Sequence, residues 1–171
     1  TNVVRHAGTE LTAGGNIDMS GAQNIISDSA KLDSGKNVNM VAENTADSTV
    51  AVNKLVGSEV SADGAVTLLA GGSNVVDSSA IDTTSGNIII NAPGSNFVQN
   101  AATVNAGGTG YIHLNGGTTA TNVVRHAGTE LTAGGNVDMS GAQNIISNSA
   151  TLDSGKNVNL VAADADAAKV A

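Results

Sequence analysis

LTAGGNIDM (Leu11–Met19), LDSGKNVNM (Leu32–Met40) and VSADGAVTL (Val60–Leu68) are three spellings of one pattern. An apolar residue opens it and a small residue stands two places on. Glycine follows at the fourth or fifth place, and an apolar–x–apolar triplet closes it. IDTTSGNIII (Ile81–Ile90) and VNAGGTGYIHL (Val104–Leu114) are looser copies, and Leu131 and Leu152 open two more. The opening residues stand 21, 28, 21, 23, 27 and 21 positions apart. Short β-branched runs that alternate with polar residues and break at Gly, Asn and Ser are strand-and-turn chemistry. The i, i+3, i+4 spacing of an amphipathic helix is missing.

A second landmark precedes each pattern: Asn2, Asn24, Asn53, Asn74, Asn96, Asn122 and Asn144. Six of the seven lead into two apolar residues, and Asn53-Lys54-Leu55 is the weak member. Strand segments that recur every twenty-odd residues predict an all-β fold, a parallel β-helix (β-solenoid) of about seven coils of 21–28 residues. One coil then holds three short strands: Asn–apolar–apolar, apolar–x–small and apolar–x–apolar. Each strand pairs in parallel with its counterpart one coil away, at about 4.8 Å. Gly and Asn are expected to supply positive φ at the corners. The seven Asn are expected to stack as a hydrogen-bonded row.

Residues 1–42 and 121–162 match at 38 of 42 positions; only Ile17/Val137, Asp28/Asn148, Lys31/Thr151 and Met40/Leu160 differ. We therefore expect residues 1–171 to form a single solenoid segment of a longer array. Its super-repeat is 120 residues long, complete over 1–120 and partial over 121–171. The gap from the closing apolar residue to the next Asn is 13 positions after Met40 and five to eight after the others. Glu43, Asn44, Thr45, Ala46, Asp47, Ser48 and Thr49 are thus predicted to bulge as an exposed corner loop. Their counterparts 163–169 differ at all seven positions, which a loop without core residues tolerates.

Composition narrows the role. The chain has 171 residues, no Cys, no Trp, one Tyr (Tyr111) and one Phe (Phe97). Without cysteine there is neither a disulfide framework nor a thiolate site. A net charge of −8 argues against nucleic acid and anionic membrane as partners. No apolar run approaches a membrane span. At 40% hydrophobic and 13% charged residues, disorder is not expected.

Strings such as LTAGGNIDMSGAQNI, LDSGKNVNLVA and VSADGAVTLLAGG resemble the shaft of filamentous haemagglutinin-type proteins, large bacterial exoproteins often secreted by a two-partner system. The resemblance covers nearly all of the chain, although the coils here are longer and less regular than that family's tightest repeats. It implies a right-handed parallel β-helix, a location outside the cell or on its surface, and a stiff adhesive or display stalk.

Catalytic chemistry is not expected. His6 and His126 occupy one repeat position, His113 lies between apolar neighbours, and no HExxH or metal-spaced pair occurs. Glu10, Asp18, Asp28, Asp33, Asp63, Asp77 and Asp82 are scattered, whereas glycosidases need two carboxylates across a cleft. Asp33, Asp82 and Asp153 share one offset with Thr12, Ser61, Asn105 and Thr132, which predicts an outward polar row. The calcium nonapeptide is missing from it. Arg5 with Glu10, and Arg125 with Glu130, are candidates for pairing across a corner. Gly14-Gly15-Asn16 and Gly107-Gly108 lack the Lys-Ser/Thr of a phosphate loop and read as turns.

The reading is a structural, non-enzymatic segment of an extracellular filament or stalk with no cofactor. Its expected partners are further repeats or end-to-end copies, with other cells or surface glycans at the loops. A self-assembling fibre subunit is the main alternative, and a β-helical polysaccharide-active enzyme a lesser one.

Overall fold

The computed structural model describes residues 1–44, 46–47 and 50–163. Over these the chain runs through 21 short strands with no α-helix, and the strands assemble into three seven-stranded parallel sheets. Sheet A holds Asn2–Arg5, Gln23–Ser27, Val52–Val56, Ser73–Asp77, Ser95–Gln99, Thr121–Arg125 and Gln143–Ser147. Sheet B holds Glu10–Ala13, Lys31–Ser34, Glu59–Ala62, Ala80–Thr83, Thr103–Ala106, Glu130–Ala133 and Thr151–Ser154. Sheet C holds Ile17–Gly21, Val38–Ala42, Val66–Ala70, Ile88–Asn91, Ile112–Asn115, Val137–Gly141 and Val158–Ala162. The chain visits A, B and C in turn and then steps up one coil, so this is a β-solenoid of about seven turns. The three strands of each coil are the three segments that the periodicity picks out.

Register follows the apolar landmarks. Leu11, Leu32, Val60, Ile81, Val104, Leu131 and Leu152 stack in one row of sheet B. Met19, Met40, Leu68, Ile90, Leu114, Met139 and Leu160 stack in one row of sheet C. Because side chains alternate across a strand, one row per face points inward and its neighbour outward. The inward rows fill the bore with Ile, Leu, Val, Met and Ala. At the corner where sheet C gives way to sheet A, Ala42, Ala51, Ala70 and Ala92 form a smaller cluster of their own. Side chains of this size suit a bore only one coil across, which is why the composition is so poor in aromatics.

The corners correct one expectation. Most corner glycines do not supply positive φ. Among the described residues only Gly8, Gly57, Gly108, Gly117 and Gly128 do so. The A-to-B corner holds Gly8, Gly57 and Gly128 of these with Asn100 and Asn148, as expected, but also places His6, Asp28, Ser29, Ser78, Ala101, His126 and Ser149 in that region. The glycines of the B-to-C corner serve close approach between coils. A Cβ at Gly86 would overlap the backbone of Gly64, and one at Gly110 would overlap Gly86. One backbone rests on the next there, and only hydrogen fits between them.

Candidate functional site

The Asn landmarks lie side by side in sheet A, each in register with the next. They point inward, and Asn24, Asn53, Asn74, Asn96 and Asn122 are fully buried. Each Nδ2 donates to the Oδ1 of the Asn one coil further on. The distances are 2.8 Å from Asn2 to Asn24, 2.8 Å to Asn53, 3.0 Å to Asn74, 2.9 Å to Asn96, 2.9 Å to Asn122 and 2.9 Å to Asn144. The second Nδ2 hydrogen goes to sheet C carbonyls, as from Asn53 to Leu69 and from Asn74 to Asn91. The row therefore ties two sheets together at their shared corner and has one polarity along the axis. Its role is architectural.

That same corner, from sheet C to sheet A, carries the length variation. Its connections are residue 22, residues 43–51, 71–72, 92–94, 116–120 and residue 142. Glu43, Ala46 and Asp47 of the longest one are exposed. The Asn44 side chain shapes its start: Oδ1 accepts from the backbone N–H of Ala46 at 3.0 Å and of Asp47 at 3.2 Å. Thr45, Ser48 and Thr49 lie outside the described residues, as do 164–169 of the counterpart segment. Between the two long connections the corner is short, and a depression of about 510 Å³ opens there. Gly71, Gly72, Pro93 and Gly94 line it, with Ser73, Ser95 and Phe97 on the adjoining sheet A face.

The outer faces are polar in two sheets. Thr12, Asp33, Ser61, Asp82, Asn105, Thr132 and Asp153 form one outward row of sheet B. Beside it Glu10, Lys31 and Glu59 are in register, and Lys31 Nζ lies 2.7 Å from Glu59 Oε2. The hydrogen bond to Glu59 and the charges of Glu59, Glu10 and Asp33 raise the Lys31 pKa. Sheet C presents Asp18, Asn39, Thr67, Ile89, His113, Asp138 and Asn159. His113 is half-buried, with Nε2 3.2 Å from Ser140 Oγ.

The expected corner pairs do not form. Arg125 donates from Nε and Nη2 to Gln99 Oε1 at 2.9 and 2.7 Å, and Glu130 accepts from Thr132 Oγ1. Glu10 faces Lys31 rather than Arg5. The positive φ at His6 and His126 turns the chain between the two members of each pair. Gln99 Nε2 in turn donates to Asp77, as do Asn100 and Ser78. Burial works to raise the Asp77 pKa, but the bonds from Asn100, Gln99 and Ser78, with His126 nearby, hold it below 3.8.

Among the described residues no three His, Cys, Asp or Glu side chains stand together as a metal site. The carboxylates of one outward row do not fall on adjacent coils: Ser61 stands between Asp33 and Asp82, and Lys31 between Glu10 and Glu59. A second Asn series is one the landmark pattern does not single out: Asn16, Asn37, Asn87, Asn136 and Asn157, each directly before an apolar residue of sheet C. Asn37 Oδ1 accepts from Ala65 N–H at 2.7 Å and Asn87 Oδ1 from Tyr111 N–H at 3.1 Å, which ties the B-to-C corner of one coil to the next. Compared with known proteins, the chain matches no family model, no curated sequence and no solved structure.

Proposed function

We propose that this chain is a segment of a long extracellular bacterial filament or surface stalk, of the filamentous haemagglutinin type, with a structural and adhesive role and no catalytic step. The observation that carries the reading is the match of super-repeat to coil. Residues 1–42 and 121–162 are nearly identical and occupy the same positions of the solenoid exactly five coils apart in the stack. A unit of whole coils extends a rod without a break in register. Corner loops then vary without disturbing the bore, which suits contact with other cells or surface glycans. Antibodies against the purified chain should label the outside of intact producing bacteria, and the labelled protein should run far above 16.7 kDa when denatured. Labelling only after lysis would overturn the location, and with it the stalk.

A second structural reading is end-to-end assembly. All three parallel sheets keep one register from coil to coil, so the strands of one copy could continue those of another. Open parallel edges template further pairing. A denatured mass near 16.7 kDa for the native protein would favour this version over one long chain.

A further inference from the structure

The outward row of sheet A is unlike those of the other two sheets. In register it reads Val3, Ile25, Lys54, Val75, Phe97, Val123 and Ile145. Six of seven coils thus place a large apolar side chain in this row, against four coils of sheet C (Val41, Leu69, Ile89 and Val161) and none of sheet B. This row is the first apolar residue of each Asn–apolar–apolar segment; the second points into the bore. Val3 and Ile145, on the two outermost strands, are exposed; between them Ile25, Val75 and Phe97 are half-buried, Phe97 beside the corner depression, and Val123 is buried.

Charge is sorted in the same sense. The outer face of sheet B bears Glu10, Asp33, Glu59, Asp82, Glu130 and Asp153 against Lys31 alone. The outer face of sheet A bears Asp77 against Arg5, Lys54 and Arg125. On one flank of the apolar row, Gln23, Val52, Ser73, Ser95, Thr121 and Gln143 carry no charge. In a chain of net charge −8, sheet A is the face on which a second acidic copy meets least repulsion.

We propose that the outer face of sheet A is a lateral interface, on which two copies of this solenoid pack side by side. A second copy is the occupant because it presents the same apolar spacing, one side chain per coil at about 4.8 Å, along its whole length. Seven coils and a five-residue strand give a face of roughly 34 by 16 Å. Two such faces cover about 1,100 Å² in total, at the lower edge of specific interfaces. Each added coil enlarges the contact, so pairing strengthens with rod length. Lys54 interrupts the row and keeps the face from uncontrolled aggregation. The proposal holds whether or not the filament is adhesive.

The natural absence of cysteine makes the test direct. Single variants Ser73→Cys and Ser95→Cys place a thiol beside the row; Asn105→Cys and Thr67→Cys place one on sheets B and C as controls. With a short bismaleimide, the sheet A thiols should cross-link two chains at least about tenfold faster than the controls, the ratio equivalent to 1.4 kcal/mol of preference. The Ser95→Cys chain carrying Val75→Lys and Phe97→Lys, with its β-sheet circular dichroism retained, should lose that advantage. Equal rates on all three faces would overturn the proposal. So would pairing that survives the two lysines. End-to-end stacking alone predicts no advantage for mid-stack thiols on any face, and counts against it too.

Discussion

At the residue scale the buried amides are the most demanding groups in the molecule. Asn74 donates to Asn91 O at 3.0 Å, Leu68 O at 3.3 Å and Asn96 Oδ1 at 2.9 Å, and accepts from Asn53. Asn74→Ala strands these partners in a bore that water does not enter. A buried unpaired polar group costs about 1–3 kcal/mol, so a total near 3 kcal/mol is expected in denaturant unfolding. Asn2→Ala, at a half-buried member of the row, should cost less than half as much; equal losses would show that the row is not acting through burial. Asp77 makes a pH-dependent contribution. Its carboxyl is held below 3.8 in the fold, so it binds fewer protons than in the unfolded chain. The stability it adds is present above pH 3.8 and fades as the pH falls through the folded value. Asp77→Asn should therefore lower the urea midpoint at about pH 6 and lower it less at about pH 2.5. A gap that widens in acid would contradict the assignment.

At the element scale, strands and corners carry separate duties. The strands hold register through inward apolar rows, where a slip by one residue would turn the bore polar. The corners absorb length. The C-to-A corner ranges from a single residue at Ala22 to nine at 43–51, while the strands on either side keep four or five residues. Deleting residues 43–49 leaves Val50 and Ala51 as a two-residue connection, the length that Gly71 and Gly72 already use. Loop closure depends weakly on length, so the melting temperature should move by no more than about 5 °C and the β-sheet signal should persist. Loss of the sheet signal would mean that the segment packs into the core after all.

At the scale of the whole molecule, the solenoid is a one-dimensional stack in which each coil contacts the coils above and below it. Stability and length are then both sums over coils. A tandem chain of two or three 120-residue units should lengthen by about 24 Å per unit, five coils at the strand spacing, with its cross-section unchanged. Small-angle scattering reads both quantities. A chain that grows in width instead would show that the units fold back on one another rather than continue the rod.

Period, strand content and the three-strand coil were all legible in the sequence. Every coil repeats the same local instruction, and identical coils can satisfy it only by stacking. The Asn row was legible for the same reason: a residue type that returns at one phase of the period must return to one place in space. What needed the tertiary structure was everything that depends on which way a side chain points, or on how near two coils come. The pattern Asn–apolar–apolar does not say that Val75 faces out and Val76 in; the inward direction of Asn74, set by its carbonyl partners on sheet C, decides it. Gly86 reads as a turn residue in the sequence, yet the contact that requires it lies 22 residues away on Gly64. Arg125 and Glu130 read as a pair, and the left-handed turn at His126 separates them. Periodic burial can be read along the chain, because it is one-dimensional. Facing, approach and partnership are settled between coils, where the packing of the bore selects one arrangement.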